Sequence, residues 1–228
     1  MGQNYDGVAL VSGGMDSITL LHYLKNEYPV AKIHALNMYY GQRHKKEQEY
    51  CKYWCDFLNV PYTEYNLSFY YDMIKDVSAM VKNDLEVPEK EYDPNEIPLT
   101  YAPFRNLLFV IIGAIYCECH GLKKIYYAGH AGDAGANYWD TTVEFLNKTN
   151  ELLAMRGIEL VAPFINITKG SIAKIAKHYK DLDLSKTWSC YKGEDIHCGV
   201  CSTCRERILA MIEAGIEDKT EYKENPYK

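Results

Sequence analysis

Apolar, often β-branched stretches alternate along the chain with longer segments whose apolar positions recur at helical spacing. Residues 8–11, 32–38, 62–67, 125–128 and 159–162 read as strands, and residues 16–27, 44–58, 106–120, 143–156 and 169–178 as helices. Gly121 and Gly157 stand where C-terminal helix caps belong. Strand and helix in repeated alternation build βαβ units, so the pattern predicts an α/β fold with a doubly wound parallel sheet. Between residues 69 and 103 the alternation breaks into Pro-, Asp- and Glu-rich sequence containing Pro88, Pro94 and Pro98. That stretch exceeds an ordinary connection and suggests a flexible active-site lid or an insertion. The expected organisation is a main domain over residues 1–185, with a small cysteine-bearing module and C-terminal helix over 186–228 packed on it.

Composition narrows the class. With 228 residues and 47% hydrophobic content the chain can bury one substantial core. A formal charge of -6 argues against broad binding of a phosphate backbone, so no nucleic-acid partner is expected. Residues 1–5 are polar and a strand follows at once, so no signal peptide is expected, and the eight cysteines are read as thiols of a reducing cytoplasm. The apolar run at 107–116 is shorter than the roughly 20 residues that span a bilayer, so it is read as a buried helix and no membrane is expected.

The first strand runs through Leu10 and Val11 into Ser12-Gly13-Gly14-Met15-Asp16-Ser17, and a helix opens at once with Ile18 and Thr19. Glycines between a buried strand and a helix N-terminus mark an anion site, because bare backbone approaches a phosphate closely and free N–H groups face its oxygens. The Ser12 and Ser17 hydroxyls are expected to join them. Asp16 beside phosphates would be repulsive unless a cation intervenes, which suggests a Mg2+ held directly or through water. The absence of Gly-Lys-Ser/Thr separates this loop from the Walker type. It resembles instead the PP-loop of ATP pyrophosphatases, which implies ATP binding over residues 10–19 and transfer of AMP to a substrate oxygen.

Cys190, Cys198, Cys201 and Cys204 lie close in sequence, with two Cys-x2-Cys steps that let successive sulfurs converge on one tetrahedral ion. Four protein ligands leave no open position, so a Zn2+ here is expected to be structural. An iron–sulfur cluster is the competing reading. His197 is the weaker alternative ligand, because it adjoins Cys198. Cys51, Cys55, Cys117 and Cys119 are read as small buried apolar residues.

The order and spacing of Ser12–Ser17, Gly41-Gln42-Arg43-His44, Thr100 to Asn106, Thr187-Trp188-Ser189-Cys190-Tyr191 and the terminal cysteines resemble the 7-cyano-7-deazaguanine synthase family of queuosine biosynthesis. The resemblance spans nearly the whole chain. It implies an ATP-dependent conversion of 7-carboxy-7-deazaguanine and ammonia to the nitrile, through an acyl adenylate and an amide, in a homodimer. Asp16, Arg105, Asn106 and Lys169 are the expected catalytic residues. Arg105 and Asn106 stand at a helix start, where a guanidinium meets phosphate or carboxylate oxygens, and Lys169 is suited to charge on departing pyrophosphate. Gln42, Arg43, Tyr101, His130, Asp133, Asp140 and Glu144 are the expected substrate contacts.

The chain also departs from the family pattern. A Tyr-Pro-Asp-Cys-Arg-Pro-Glu-Phe run is replaced by Tyr138-Trp139-Asp140-Thr141-Thr142-Val143-Glu144-Phe145, and Tyr39 stands where an aspartate is usual. Asp140 and Glu144 keep carboxylates for a guanine-like edge, but the arginine is gone. The departure opens a second reading, a specialised relative that stops at the amide or joins the activated acid to another amine, including a protein N-terminus. A non-catalytic zinc module and a tRNA-thiolating enzyme are further alternatives. The acidic balance and the intact Ser12–Ser17 loop disfavour the first, and the second would need a reactive cysteine near the ATP site and a basic RNA-binding appendage, neither of which is visible.

Overall fold

A computed structural model describes residues 6–28, 32–81, 84–89, 96–130 and 138–227. Five parallel strands form one sheet in the order β3-β2-β1-β4-β5, with β1 at Gly7–Leu10, β2 at Ile33–Tyr39, β3 at Tyr62–Asn66, β4 at Lys124–Tyr126 and β5 at Glu159–Val161. The chain winds outward from β1 to β3, returns, and continues through β4 to β5. The carboxyl ends of β1 and β4 therefore flank the topological switch point, where open α/β sheets bind ligands.

Strand residues alternate between two cores. Val8, Leu10, Leu36, Met38, Ile125 and Leu160 face one cluster, and Ala9, Val11, Ile33, Ala35 and Tyr126 face the other. Because both faces are covered there, β1 and most of β2 are buried at nearly every position, whereas the edge strand β3 reads Tyr-Thr-Glu-Tyr-Asn and has no buried residue. Helix α4 (Arg105–His120) covers the first face, where Gly113 lets it approach Ile125 and Leu10. Helices α1 (Met15–Glu27) and α2 (Lys46–Phe57) cover the second, and the α2 indole Nε1 of Trp54 donates to Lys186 O at 2.7 Å.

The structure adds helix α3 at Ser68–Ile74, inside the stretch where the pattern had broken. Its turns are few and Phe69 and Met73 stay exposed, so no apolar stripe announces it. Beyond α3, buried Ala79, Met80 and Val81 pack beside the Gly41–His44 turn, where Val81 bridges to Gln42 and Arg43 N donates to Met80 O. Cys51, Cys55 and Cys117 are buried as expected. Cys119 is exposed, because two residues along a helix turn a side chain away from the face Cys117 buries.

Helices α5 (Val143–Ala154), α6 (Lys169–Lys177) and α7 (Ser202–Ala214) complete the described elements. Met15 of α1, Ala173 and Ala176 of α6, and Ala210, Met211 and Ala214 of α7 share one apolar cluster, which seats the C-terminal helix against the main sheet layer. Arg207 of α7 is fully buried, and its guanidinium donates to Thr187 Oγ1 at 2.9 Å, Ser189 Oγ at 3.2 Å, Thr220 Oγ1 at 3.0 Å and Leu184 O. One cation thus pins the 184–189 strand of loop and the C-terminal tail to the same helix. Arg207→Ala is expected to destabilise the fold by about 3 kcal/mol, read as a lowered urea midpoint with unchanged slope.

Candidate active site

Leu10 and Val11 leave the sheet into a loop that shapes itself. Ser17 Oγ accepts from Ser12 N at 3.2 Å and Gly13 N at 3.3 Å and donates to Gly14 O at 3.1 Å, while Ser12 Oγ accepts from Gly14 N at 3.1 Å. Both serine hydroxyls, expected to face phosphate, are thus engaged in holding the turn. Gly14, at the N-cap of α1, has no side chain to cap it, so among the described residues the first N–H groups of the helix are available to an anion. Gly13 has φ of 103°, and a Cβ there would lie 1.8 Å from Glu47 O. Met15 is buried but reaches the cleft, whereas Ile18 and Thr19 are fully buried within α1 and only support the loop.

Asp16 stands over this helix start between a lysine and a histidine, with Oδ2 at 3.2 Å from Lys169 Nζ and 3.4 Å from His130 Nε2. Burial opposes its charge, but Lys169 and His130 outweigh that and hold its carboxyl well below the usual carboxylate range. Asp16 Oδ1 is buried without a hydrogen-bond partner among the described residues. Lys169 is the first residue of α6, where the positive end of the helix repels it, and Asp16 together with Glu206 at 3.7 Å offsets that cost.

Across the cleft, Arg105 and Asn106 begin α4. Phe104 before them is held at φ of 57°, a left-handed backbone that bulky residues adopt only when their surroundings impose it. The Arg105 guanidinium donates to Tyr40 OH at 3.4 Å and to Asn106 Oδ1 at 3.3 Å. Burial works against its charge, and Tyr40, Tyr191 and Asp140 more than offset that, so it stays a cation. Asp16, Lys169, Arg105, Asn106 and Gln42 line one cleft that opens to solvent.

Other expected contacts lie elsewhere. Arg43 is not among the cleft residues, because its guanidinium donates to Ala79 O at 2.8 Å and to Leu85 O and fastens the 69–103 stretch. Gln42 reaches the cleft, but its amide accepts from Tyr40 N at 2.8 Å and donates to Met38 O at 3.2 Å, closing the turn after β2. Tyr101 OH accepts from Trp139 Nε1 at 2.7 Å outside the cleft. Glu144 is exposed and paired with Lys148 at 2.6 Å. Asp140 is buried and accepts from Asn106 N at 3.3 Å, capping α4, and its desolvation raises its pKa. Asp133 lies outside the described residues. Sequence reasoning gave no role to Glu47, Tyr40, Tyr127, Ser189, Tyr191 or Thr203, which line the cleft. Glu47 had a usable signal, standing one helical turn after His44, whereas Tyr40 and Tyr127 had none.

The four cysteine sulfurs lie within 4.8 Å of one another, and Cys198 Sγ to Cys204 Sγ is 3.9 Å, close to the roughly 3.8 Å edge of a tetrahedron with 2.3 Å metal–sulfur bonds. Cys198 N donates to Cys190 Sγ at 3.4 Å and Cys201 N to Cys198 Sγ at 3.3 Å. The cluster fits a metal ion. His197 instead accepts from Ser189 N through Nε2 at 3.1 Å and stands apart from the four sulfurs.

Residues 6–215 match the family described as queuosine biosynthesis protein QueC. The chain belongs to that family. It is 37% identical over 219 residues to a 7-cyano-7-deazaguanine synthase of Caldicellulosiruptor bescii, covering 95% of this chain and 96% of that one. It is 35% identical over 227 residues to the enzyme of the same name from Porphyromonas gingivalis, covering 98% and 100%. Among solved structures, the U34-tRNA thiolase NcsA of Methanococcus maripaludis with its [4Fe-4S] cluster aligns with TM-score 0.50 at 14% identity, over 92% of this chain and 66% of that one. NMN synthetase of Francisella tularensis aligns with TM-score 0.50 at 11% identity, over 93% and 79%. Those likenesses show the shared fold. Membership in the QueC family makes the chain an ATP-using, ligase-type enzyme of queuosine biosynthesis, as the motif order implied.

Gly13→Ala, which meets both the left-handed φ and the Glu47 carbonyl, is expected to displace the loop. ATP is expected to raise the melting temperature of the unsubstituted chain and to leave that of Gly13→Ala unchanged.

Proposed function

We propose that the protein converts 7-carboxy-7-deazaguanine and ammonia to 7-cyano-7-deazaguanine, consuming ATP and releasing AMP and pyrophosphate. The observation that carries this reading is the uncapped α1 start with Asp16, Lys169 and Arg105 around one cleft. The α1 N–H groups hold the triphosphate tail, and Lys169 neutralises the charge that develops on the departing pyrophosphate. Arg105, still charged, orients the acid so that a carboxylate oxygen attacks the α-phosphorus as the bond to pyrophosphate breaks. Ammonia then displaces AMP from the acyl adenylate and leaves an amide. A second adenylation turns the amide oxygen into a leaving group, and its loss with two N–H protons gives the nitrile.

Asp16 Oδ1 is the atom suited to a Mg2+ ion, which when bound offsets phosphate charge. Cys190, Cys198, Cys201 and Cys204 would hold Zn2+, which supplies structure rather than chemistry because all four positions are filled by protein. The reading includes a homodimer and a cytoplasmic location. No described helix is long and apolar enough to cross a membrane.

Mass spectrometry of the reaction with ATP, 7-carboxy-7-deazaguanine and ammonium tests the proposal. The nitrile, AMP and pyrophosphate are expected. ADP and orthophosphate would refute adenylation, and an amide or a conjugate to another amine would favour the specialised relative that Thr141 and Thr142 suggest. Asp16→Ala is expected to abolish AMP formation while retaining the metal. Metal analysis of the purified protein is expected to find about one zinc per chain and no visible absorption, whereas a brown protein containing iron would overturn the zinc assignment.

A further inference from the structure

His44 precedes α2 on the cleft wall and is 2% exposed. Its Nε2 stands 2.9 Å from Glu47 Oε2, three residues on. Its ring stacks on Tyr191 with centroids 5.7 Å apart and planes 27° from parallel. Nδ1 is buried and has no hydrogen-bond partner among the described residues. An ionised carboxylate only accepts, so a ring hydrogen lies on Nε2, and in the neutral form of the ring the lone pair then sits on Nδ1. A buried acceptor without a donor costs stability, and such a cost is tolerated at a site where a ligand brings the donor.

The surroundings narrow the ligand. A Cβ on Gly14 would lie 3.4 Å from Glu47 Oε1, so the pair borders the phosphate loop, and both residues line the cleft that holds Asp16 and Arg105. In the reaction proposed above, the one substrate lacking an assigned site is ammonium. Near neutral pH it has no lone pair until a base removes a proton. Asp16 is a poor base for that step, since Lys169 and His130 stabilise its charge. A carboxylate-oriented imidazole with a free lone pair is suited to it.

We propose that His44 binds ammonium through Nδ1 and removes one proton from it, with Glu47 as the positioning residue that fixes the tautomer. The assignment rests on the adenylation reading. The freed nitrogen lone pair forms the C–N bond to the acyl carbon, the C–O bond to AMP breaks, and AMP leaves with that electron pair. Of the two protons released between ammonium and amide, one rests on His44 and one passes to water. The imidazolium that forms is stabilised by the Glu47 carboxylate.

Two half-reactions of the full-length, metal-loaded protein test this. ATP–pyrophosphate exchange dependent on 7-carboxy-7-deazaguanine needs no ammonium, and His44→Ala is expected to keep it within about threefold while ammonium-dependent amide formation falls about 100-fold. Hydroxylamine is neutral near pH 7, so hydroxamate formation by His44→Ala is expected to stay near that of the unsubstituted protein. Glu47→Gln, which still accepts from Nε2, is expected to lose about tenfold in amide formation and to keep exchange. Loss of exchange together with amide formation in His44→Ala would place the residue in nucleotide binding or in the fold and overturn the proposal. Unchanged amide formation, or hydroxamate formation reduced as far as amide formation, would overturn it as well. A lack of acid-dependent exchange in the unsubstituted protein would remove the adenylation reading itself and this assignment with it.

Discussion

A carboxylate at the start of α1, beside the Ser12–Ser17 loop, sets the terms for the whole cleft. Asp16 can occupy the start of α1 because Lys169 and His130 hold its charge at 3.2 and 3.4 Å. Those partners come from the start of α6 and from the loop after β4, so the phosphate loop, the switch point of the sheet and the sixth helix meet at one carboxylate. Lys169 in turn needs Glu206 of α7, which draws the C-terminal helix into the same network. Such a buried ionic group is a weak source of stability, and its worth lies in fixing which arrangement of these elements is adopted.

The wall opposite is built by a different device. Phe104 takes a left-handed backbone, α4 starts at Arg105, and Asp140 caps that helix by accepting from Asn106 N. Arg43 fastens the 69–103 stretch through backbone carbonyls, so the turn after β2 is tied to the segment beside it. The cleft is therefore bounded by parts that are distant in sequence and joined mostly by side-chain to backbone bonds.

This division explains what could be read from the chain alone. The Ser12 to Ser17 loop and the cysteine cluster were legible because their geometry is local, set by glycine freedom and by the reach of neighbouring thiols. The central strands β1 and β2 were legible because burial on both faces favours apolar runs. Arg43, Glu144 and Tyr101 were expected at the substrate from the resemblance, and the structure gives each a partner that no local pattern encodes: Ala79 O for Arg43, Lys148 for Glu144 and Trp139 for Tyr101. Asp140 likewise accepts from Asn106 N, and Ser17 Oγ braces its loop. The encounter of Asp16 with His130 and Lys169 joins three separate segments, and no local pattern encodes it.

Cys190 lies between Ser189 and Tyr191, and both flanking residues belong to the cleft wall. Thr203, between two further cysteines, donates to Ser189 O at 2.8 Å and ties that wall to α7. Thiolates that hold an ion can exchange it for a competing soft metal ion. Displacement of a group that never meets the reactants would then loosen the surface that receives them, while every reacting side chain stayed chemically intact.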